Sequence, residues 1–226
     1  MSAQAVEPEE VLIIGAGGHG RELRCWYERA AARQSLPRLI GFVDAREELH
    51  GTDVLGLPVL GDESWLAARR HVGVLLGLGL PRVRAAVVRR LAPLQLVYPS
   101  VIDPSAVLGR NVQVGQGVIV CANATVTTGV LLGDFSMVNF GATVGHDCRI
   151  GDWSSVSPGA NLSGYTVLGE GVDLGAGAVT IPGKSIGQWS IIGAGAVVTS
   201  DIPDNVMAAG VPATIRKTFI PGWHLV

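Results

Sequence analysis

A chain of 226 residues, 48% apolar and only 16% charged, can bury a sizeable core in one or two domains. Its formal net charge of −2, without a long basic run, argues against a nucleic-acid footprint, and the run Val11–Ile14 falls far short of the about 20 apolar residues that a membrane span needs. Glycine occurs 31 times, against the roughly 16 that an average usage of about 7% would give, so its placement has to be explained.

The opening segment MSAQAVEPEE is acidic and contains proline, unlike the basic n-region and apolar core of a signal peptide. Cys25, Cys121 and Cys148 form neither a CxxC pair nor a disulfide framework and read as small apolar residues in a reducing cytosol. A soluble, cytoplasmic protein is expected.

From 9 to 99 the chain alternates strand-like and helix-like stretches. VLIIG (11–15) is a short apolar run ending in glycine, and an amphipathic stretch follows from Arg21 to Arg33. LIGFVD (39–44) is a second run, ending in an acid. After DVLGLPVLG come a predicted helix over Asp62–Arg70, the run VGVLLGLG (72–79), a helix from Arg82 to Leu91, and the run LQLVYP (94–99). Such alternation predicts a parallel sheet covered by helices. Its length makes it a truncated relative of the doubly wound fold, a small Rossmann-like βαβ domain over 1–99. The loop GAGGHG (15–20) joins the first strand to the first helix. Gly15, Gly17 and Gly20 fit GxGxxG, with Gly18 and His19 at the variable places. Glycines there let a backbone approach a phosphate at a helix N-terminus, or simply make a tight turn.

From residue 100 the period becomes six. Aliphatic residues recur at Ile102, Leu108, Val114, Val120, Val126, Leu132, Val138, Val144, Ile150, Val156, Leu162, Leu168 and Leu174, then Ile186, Ile192 and Val198, with Thr180 as the polar exception. The following residue is often glycine, as at 145, 151 and 175, and the residue two before is usually small or β-branched. Neither a helix nor a plain strand gives this period; a β-solenoid does, with one hexapeptide per side of a triangular coil. The aliphatic residue points inward, the small residues fit the corners, and stacking buries an apolar prism that one coil could not form. The domain is assigned to 100–226.

These hexapeptides, together with the ending IIGAGAVVTSDIPDNVMAAGVPA (191–213), resemble the left-handed β-helix acyltransferases. With VLIIGAGGHG, the match narrows to sugar acetyltransferases such as the bacillosamine and perosamine N-acetyltransferases and the sialic-acid O-acetyltransferases. The resemblance implies a left-handed parallel β-helix, homotrimers with active sites between neighbouring solenoids, and acetyl-CoA as co-substrate. It also implies a nucleotide-linked amino sugar as acceptor.

Of the five histidines only His146 lies in the coils, beside the small residue Gly145 near a corner and before Asp147. Imidazole titrates near neutral pH and suits a general base, and an adjacent acid can orient it. The family's catalytic base and acid match His146 and Asp147; many relatives have the longer glutamate as the acid. Asn139 matches a polar active-site position. By the same resemblance Gly17, Gly18, His19 and Asp44 hold the nucleotide, with Gly77 and Gly79 as further contacts. The coenzyme lies along a groove at Gly164, Gly175, Ala176, Gly193 and Ala194. Ser155 stands where one relative has a coenzyme-contacting histidine, nine residues past the base. Backbone N–H groups at glycine corners, such as Gly164, would serve the thioester oxyanion. Lys184 and Arg216–Lys217 could meet phosphates or be solvated surface charge.

The expected activity is N-acetylation of a UDP- or GDP-linked amino-deoxysugar, with O-acetylation of a sialic acid as the alternative. A zinc enzyme sharing this solenoid needs three histidines, which His146 in the coils and His224 on the tail do not supply. A non-catalytic scaffold is disfavoured by the His146–Asp147 pair. No metal, nucleic-acid or membrane partner is expected.

Overall fold

In the computed structural model, which describes residues 8–69 and 71–225, the first apolar run forms strand β1 (Glu10–Ile14), buried from Val11 onward. It is followed by helix α1 (Gly18–Ala31), β2 (Arg38–Val43), a two-residue-loop hairpin of β3 (Asp53–Val54) and β4 (Leu57–Pro58), and β5 (Gly73–Leu76). The three longer strands pair in parallel in the order β2–β1–β5. Helix α1 starts ahead of the amphipathic stretch, because Gly18 to Gly20 are already helical, and it buries Leu23, Trp26, Tyr27 and Ala30 on one face. Helix α2 spans Pro81–Leu91. The described residues form two compact units: one runs to Leu78 and includes Val87–Pro99, the other holds Gly79–Ala86 and continues from Ser100, so the division runs through α2.

Two expectations change here. The helix predicted over 62–70 is a 3-10 segment, Glu63–Ala68, capped by Asp62, whose Oδ1 accepts from the Ser64 N–H (2.8 Å); Arg70 lies outside the described residues. The run at 94–99 makes one bridge, Gly73 to Val97, instead of a strand. It emerges from a short 3-10 turn, Ala92–Leu94, through Gln95 in the left-handed region (φ 52°), which interrupts an extended run.

The second unit is a parallel β-solenoid of about six turns. Each coil gives one two-residue strand to each of three faces, and a residue pairs with the one eighteen further on. The first face starts at Val101–Ile102, the second at Val107–Leu108 and the third at Gln113–Val114. The period-six residues from Val120 to Val198 point inward and are buried. Ile102, Leu108 and Val114 are less covered because they belong to the first coil, with none before it. Ala124, Ser136, Ala142, Ser154, Ala160, Thr166, Ala178, Ser190 and Ala196 are fully buried too. They therefore fill the core beside the corners and do not form them. Thr180 keeps its hydroxyl satisfied inside the prism: it lies 2.8 Å from the Thr166 hydroxyl and accepts from the Ser163 N–H.

The corners turn through a left-handed residue every six positions. Glycine serves at many, but Asn111, Phe135, Asp147, Trp153, Tyr165 and Trp189 also adopt positive φ. Placing such side chains there costs about 1–2 kcal/mol each, so what they touch matters. Phe135 and Trp153, one coil apart, stack at 4.3 Å. No helix among the described residues is long and apolar enough to cross a membrane.

Candidate active site

His146 and Asp147 form the corner between the second and third faces, just after the strand Thr143–Val144. The Asp147 carboxylate accepts from His146 Nδ1 at 2.9 Å. An Nδ1–H held this way leaves the lone pair on Nε2, the form a general base needs. Both side chains are about half exposed (53% and 48%), so reactants can reach the pair. Asp147 has φ 57°, a conformation that aspartate tolerates better than most residues.

The ring is held from one side. A Cβ on Gly164 would lie 2.6 Å from His146 Nε2, so the imidazole lies against the bare backbone of the next coil. Tyr165 meets the ring edge-on at 5.0 Å, with the planes 89° apart. Sequence reading did not single out Tyr165; it stands one coil, eighteen residues, beyond Asp147. Cys148 is buried, donates to the Ser163 carbonyl, and burial pushes its thiol pKa up. It stays a protonated core residue and offers no thiolate nucleophile.

Asn139 follows Met137–Val138 on the first face, at the corner leading to the second, and its Oδ1 accepts from the Phe140 N–H (2.8 Å). Within one chain it is thus on a different edge from His146. Gly175 and Ala176, then Gly193 and Ala194, stack on the Asn139 edge in later coils, whereas Gly164 belongs with His146. Ala176 and Ala194 are exposed, and Cβ atoms at the neighbouring Gly177 and Gly195 would meet nothing, so this edge is an open strip able to accept a slender chain such as pantetheine.

Ser155 is 2% exposed on the first face. Arg84, itself 1% exposed, donates to the Ser155 Oγ (2.8 Å), to the carbonyls of Gly79 (2.7 Å) and Phe135 (3.2 Å), and to that of Trp153. Ser155 is occupied by this network and has no surface to offer a coenzyme. Burial pulls the Arg84 pKa down to about 10, with the Asp173 carboxylate acting in the other direction. Nothing in the α2 sequence marks Arg84 as buried.

In the N-terminal unit the glycines divide by role. A Cβ on Gly20 would fall 1.8 Å from the Gly15 carbonyl, and one on Gly77 would fall 2.7 Å from Gly20 Cα. Gly20 and Gly77 therefore let helix and strands approach, and Gly77 is a packing residue. Gly17 caps α1, and a Cβ on Gly18 would meet nothing, so this part of the loop is open. His19 lies near Glu22 (3.7 Å) and edge-on to Trp26.

Asp44 is buried at the end of β2. Its Oδ2 accepts from the Ala16 N–H (2.8 Å) and Arg46 Nη2 (2.9 Å); its Oδ1 accepts from the Arg46 N–H (3.0 Å) and Arg46 Nε (2.8 Å). The Arg46 side-chain bonds, aided by the two backbone N–H groups, pull its pKa down to about 2 against the opposing effect of burial. Arg46, half-exposed, was not among the expected residues; its only sequence signal is a basic side chain two positions after a strand-ending acid.

A hexapeptide solenoid with a histidine–carboxylate pair at an open corner is the arrangement expected of a hexapeptide-repeat acyltransferase. The model of the PglD N-terminal domain matches residues 10–91, and that of the GMPPB C-terminal domain matches 95–186. No curated protein matches the chain. Among solved structures, PerB from Caulobacter crescentus, in complex with CoA and GDP-perosamine, is 35% identical over 96% of this chain and 100% of its own, with a TM-score of 0.85. That perosamine N-acetyltransferase has also been solved with one histidine changed to asparagine or alanine. The acetyltransferase domain of PglB from Neisseria gonorrhoeae, in complex with acetyl coenzyme A, is 36% identical over 92% and 99%, with a TM-score of 0.83. WeeI from Acinetobacter baumannii is 28% identical over 91% and 99%, with a TM-score of 0.82. The chain belongs to the hexapeptide-repeat sugar N-acetyltransferase family, acetyl-CoA-dependent enzymes of the left-handed β-helix type.

Proposed function

We propose that this protein acetylates the amino group of a UDP- or GDP-linked amino-deoxysugar, with His146 as general base. The observation that carries the reading is the 2.9 Å bond from His146 Nδ1 to Asp147 at a half-exposed corner. As the sugar amine attacks the thioester carbonyl, His146 Nε2 takes its proton, and Asp147 stabilises the imidazolium that results. Acetyl-CoA supplies the acyl group, and the thiolate leaves as the oxyanion collapses. Backbone N–H groups at the glycine corners supply the oxyanion donors.

Asn139 completes this site from a second chain in a trimer. Asn139 and His146 occupy different edges of one prism, and the family resemblance implies sites between neighbouring solenoids. The coenzyme runs along the strip of Gly175, Ala176, Gly193 and Ala194, where small side chains leave it room. The N-terminal unit holds the nucleotide through its open loop at Gly17 and Gly18. The C. crescentus relative, an N-acetyltransferase solved with a GDP-linked amino sugar, favours N- over O-acetylation.

The test is a screen of UDP-, GDP- and CMP-linked amino sugars with acetyl-CoA, following thiol release, on the wild type and His146→Asn. At least one UDP- or GDP-linked amino sugar should turn over. The variant should fold normally and lose roughly 10²–10⁴-fold in kcat, the usual contribution of general base catalysis. A folded variant with near-normal kcat would assign the base elsewhere.

A further inference from the structure

The Asp44 carboxylate has about four acceptor positions, and four N–H groups already fill them: one from Ala16 and three from Arg46. A carboxylate so saturated has little capacity left for a ribose hydroxyl or a base. Arg46 is the opposite case. Of the five N–H donors of a guanidinium, Nε and one hydrogen of Nη2 go to Asp44. The other three have no partner among the described residues, and the side chain is half-exposed. Its Nη2 lies 4.0 Å from where a Cβ on Gly17 would be, so the group is fixed directly beside the open loop.

We infer that Arg46, and not Asp44, is the residue that touches the nucleotide, and that it binds the diphosphate. This rests on the proposed nucleotide role of the N-terminal unit. An arginine clamped on one edge by a buried carboxylate has lost its rotamer freedom before the ligand arrives, so ordering it costs little on binding. Its free edge carries only donors, which match an anion with paired oxygens. The diphosphate is the strongest such group in a nucleotide-linked sugar. Asp44 then acts as a positioning residue: it fixes the guanidinium and, through Ala16, the loop.

The experiment is calorimetric titration of full-length protein with GDP and with UDP, alongside kinetics on the sugar nucleotide that the wild type turns over. Arg46→Ala should weaken the diphosphate that binds the wild type by about 10- to 100-fold, the usual value of a hydrogen bond to a charged group. The KM for the sugar nucleotide should rise in step, while kcat and the KM for acetyl-CoA stay put. Arg46→Lys, which keeps the charge without the fork, should recover part of the loss. Asp44→Asn should weaken binding in the wild-type background and add nothing in the Arg46→Ala background, as expected if it acts through the arginine.

Wild-type affinity in Arg46→Ala, or an equal cost of Asp44→Asn in both backgrounds, would overturn the inference and leave the nucleotide role of the unit standing. If neither GDP nor UDP binds the wild type, that role fails and this inference fails with it.

Discussion

The imidazole of His146 lies on the backbone of Gly164, the residue eighteen positions on, with only 2.6 Å between Nε2 and the place where a side chain would begin. Gly164 does not have a positive φ, so an alanine there has no backbone conformation to fight. The collision falls on a half-exposed ring that can swing away. Gly164→Ala should therefore keep its melting temperature while losing kcat by roughly 10²-fold, the cost of an ångström-scale misplacement of a catalytic group. Thermal unfolding and initial rates on one preparation check this; a rate near wild type would mean the contact does not orient the base.

Asp147→Asn should cost less than His146→Asn. Asparagine tolerates the left-handed corner and can still accept from Nδ1–H, so what is lost is the charge that stabilises the imidazolium. We expect a fall in kcat of roughly 10-fold, below the roughly 10²–10⁴ that removing the base itself would cost. Asp147→Ala should lose more activity, because it removes the acceptor, and also about 1 kcal/mol or more of stability from a strained corner. Equal rates for the two variants would show that the hydrogen bond itself contributes nothing.

Light scattering at micromolar concentration should give a trimer mass. A stable monomer would leave Asn139 and His146 without a means of meeting, and Asn139→Ala would then be silent in kcat.

Asp44 sets a sign for acid stability. Its folded pKa of about 2 lies below the roughly 3.9 of an unfolded aspartate, so the stability it confers is complete above pH about 4. That stability is lost as pH falls from there toward 2. The difference in melting temperature between wild type and Asp44→Asn should thus be wide from pH 5 to 7 and close by pH 2. A gap that does not change across this range would contradict the ion pair.

Arg84→Leu should be among the most destabilising single changes in the solenoid. It leaves the carbonyls of Gly79, Phe135 and Trp153 without their donor in a buried place and removes the opposite charge near the partly buried Asp173. Breaking such a buried network costs about 3–5 kcal/mol. Denaturant unfolding reads it directly.

The solenoid was legible because its sequence period and its structural repeat are the same quantity: each inward position is reached by counting six. His146 stood out because it is the one histidine in the coils and has an acid beside it. What escaped notice depends on three-dimensional bonding. Asp44, an acid ending a strand, was by resemblance a nucleotide contact. Only the folded loop reveals that Ala16 and Arg46 have taken its oxygens. Ser155 was placed by the resemblance, where a relative has a histidine, but the guanidinium that covers it comes from residue 84. The run at 94–99 had the composition of a strand, yet Gln95 turns left-handed and leaves a single bridge.

The unshifted eighteen-residue register gives the solenoid an address system. A deletion or insertion of eighteen residues removes or adds one storey, about 4.8 Å tall, and leaves every later side chain over its old edge. A change of six preserves which residues face inward but turns the remainder of the prism by one face. Made between Asp147 and Ser163, it would bring a different corner under His146. A change of twelve does the same by two faces, and a length that is not a multiple of six breaks the inward pattern. Along this half of the chain, then, an insertion taken up into the coils keeps every later edge aligned only when its length is a multiple of eighteen.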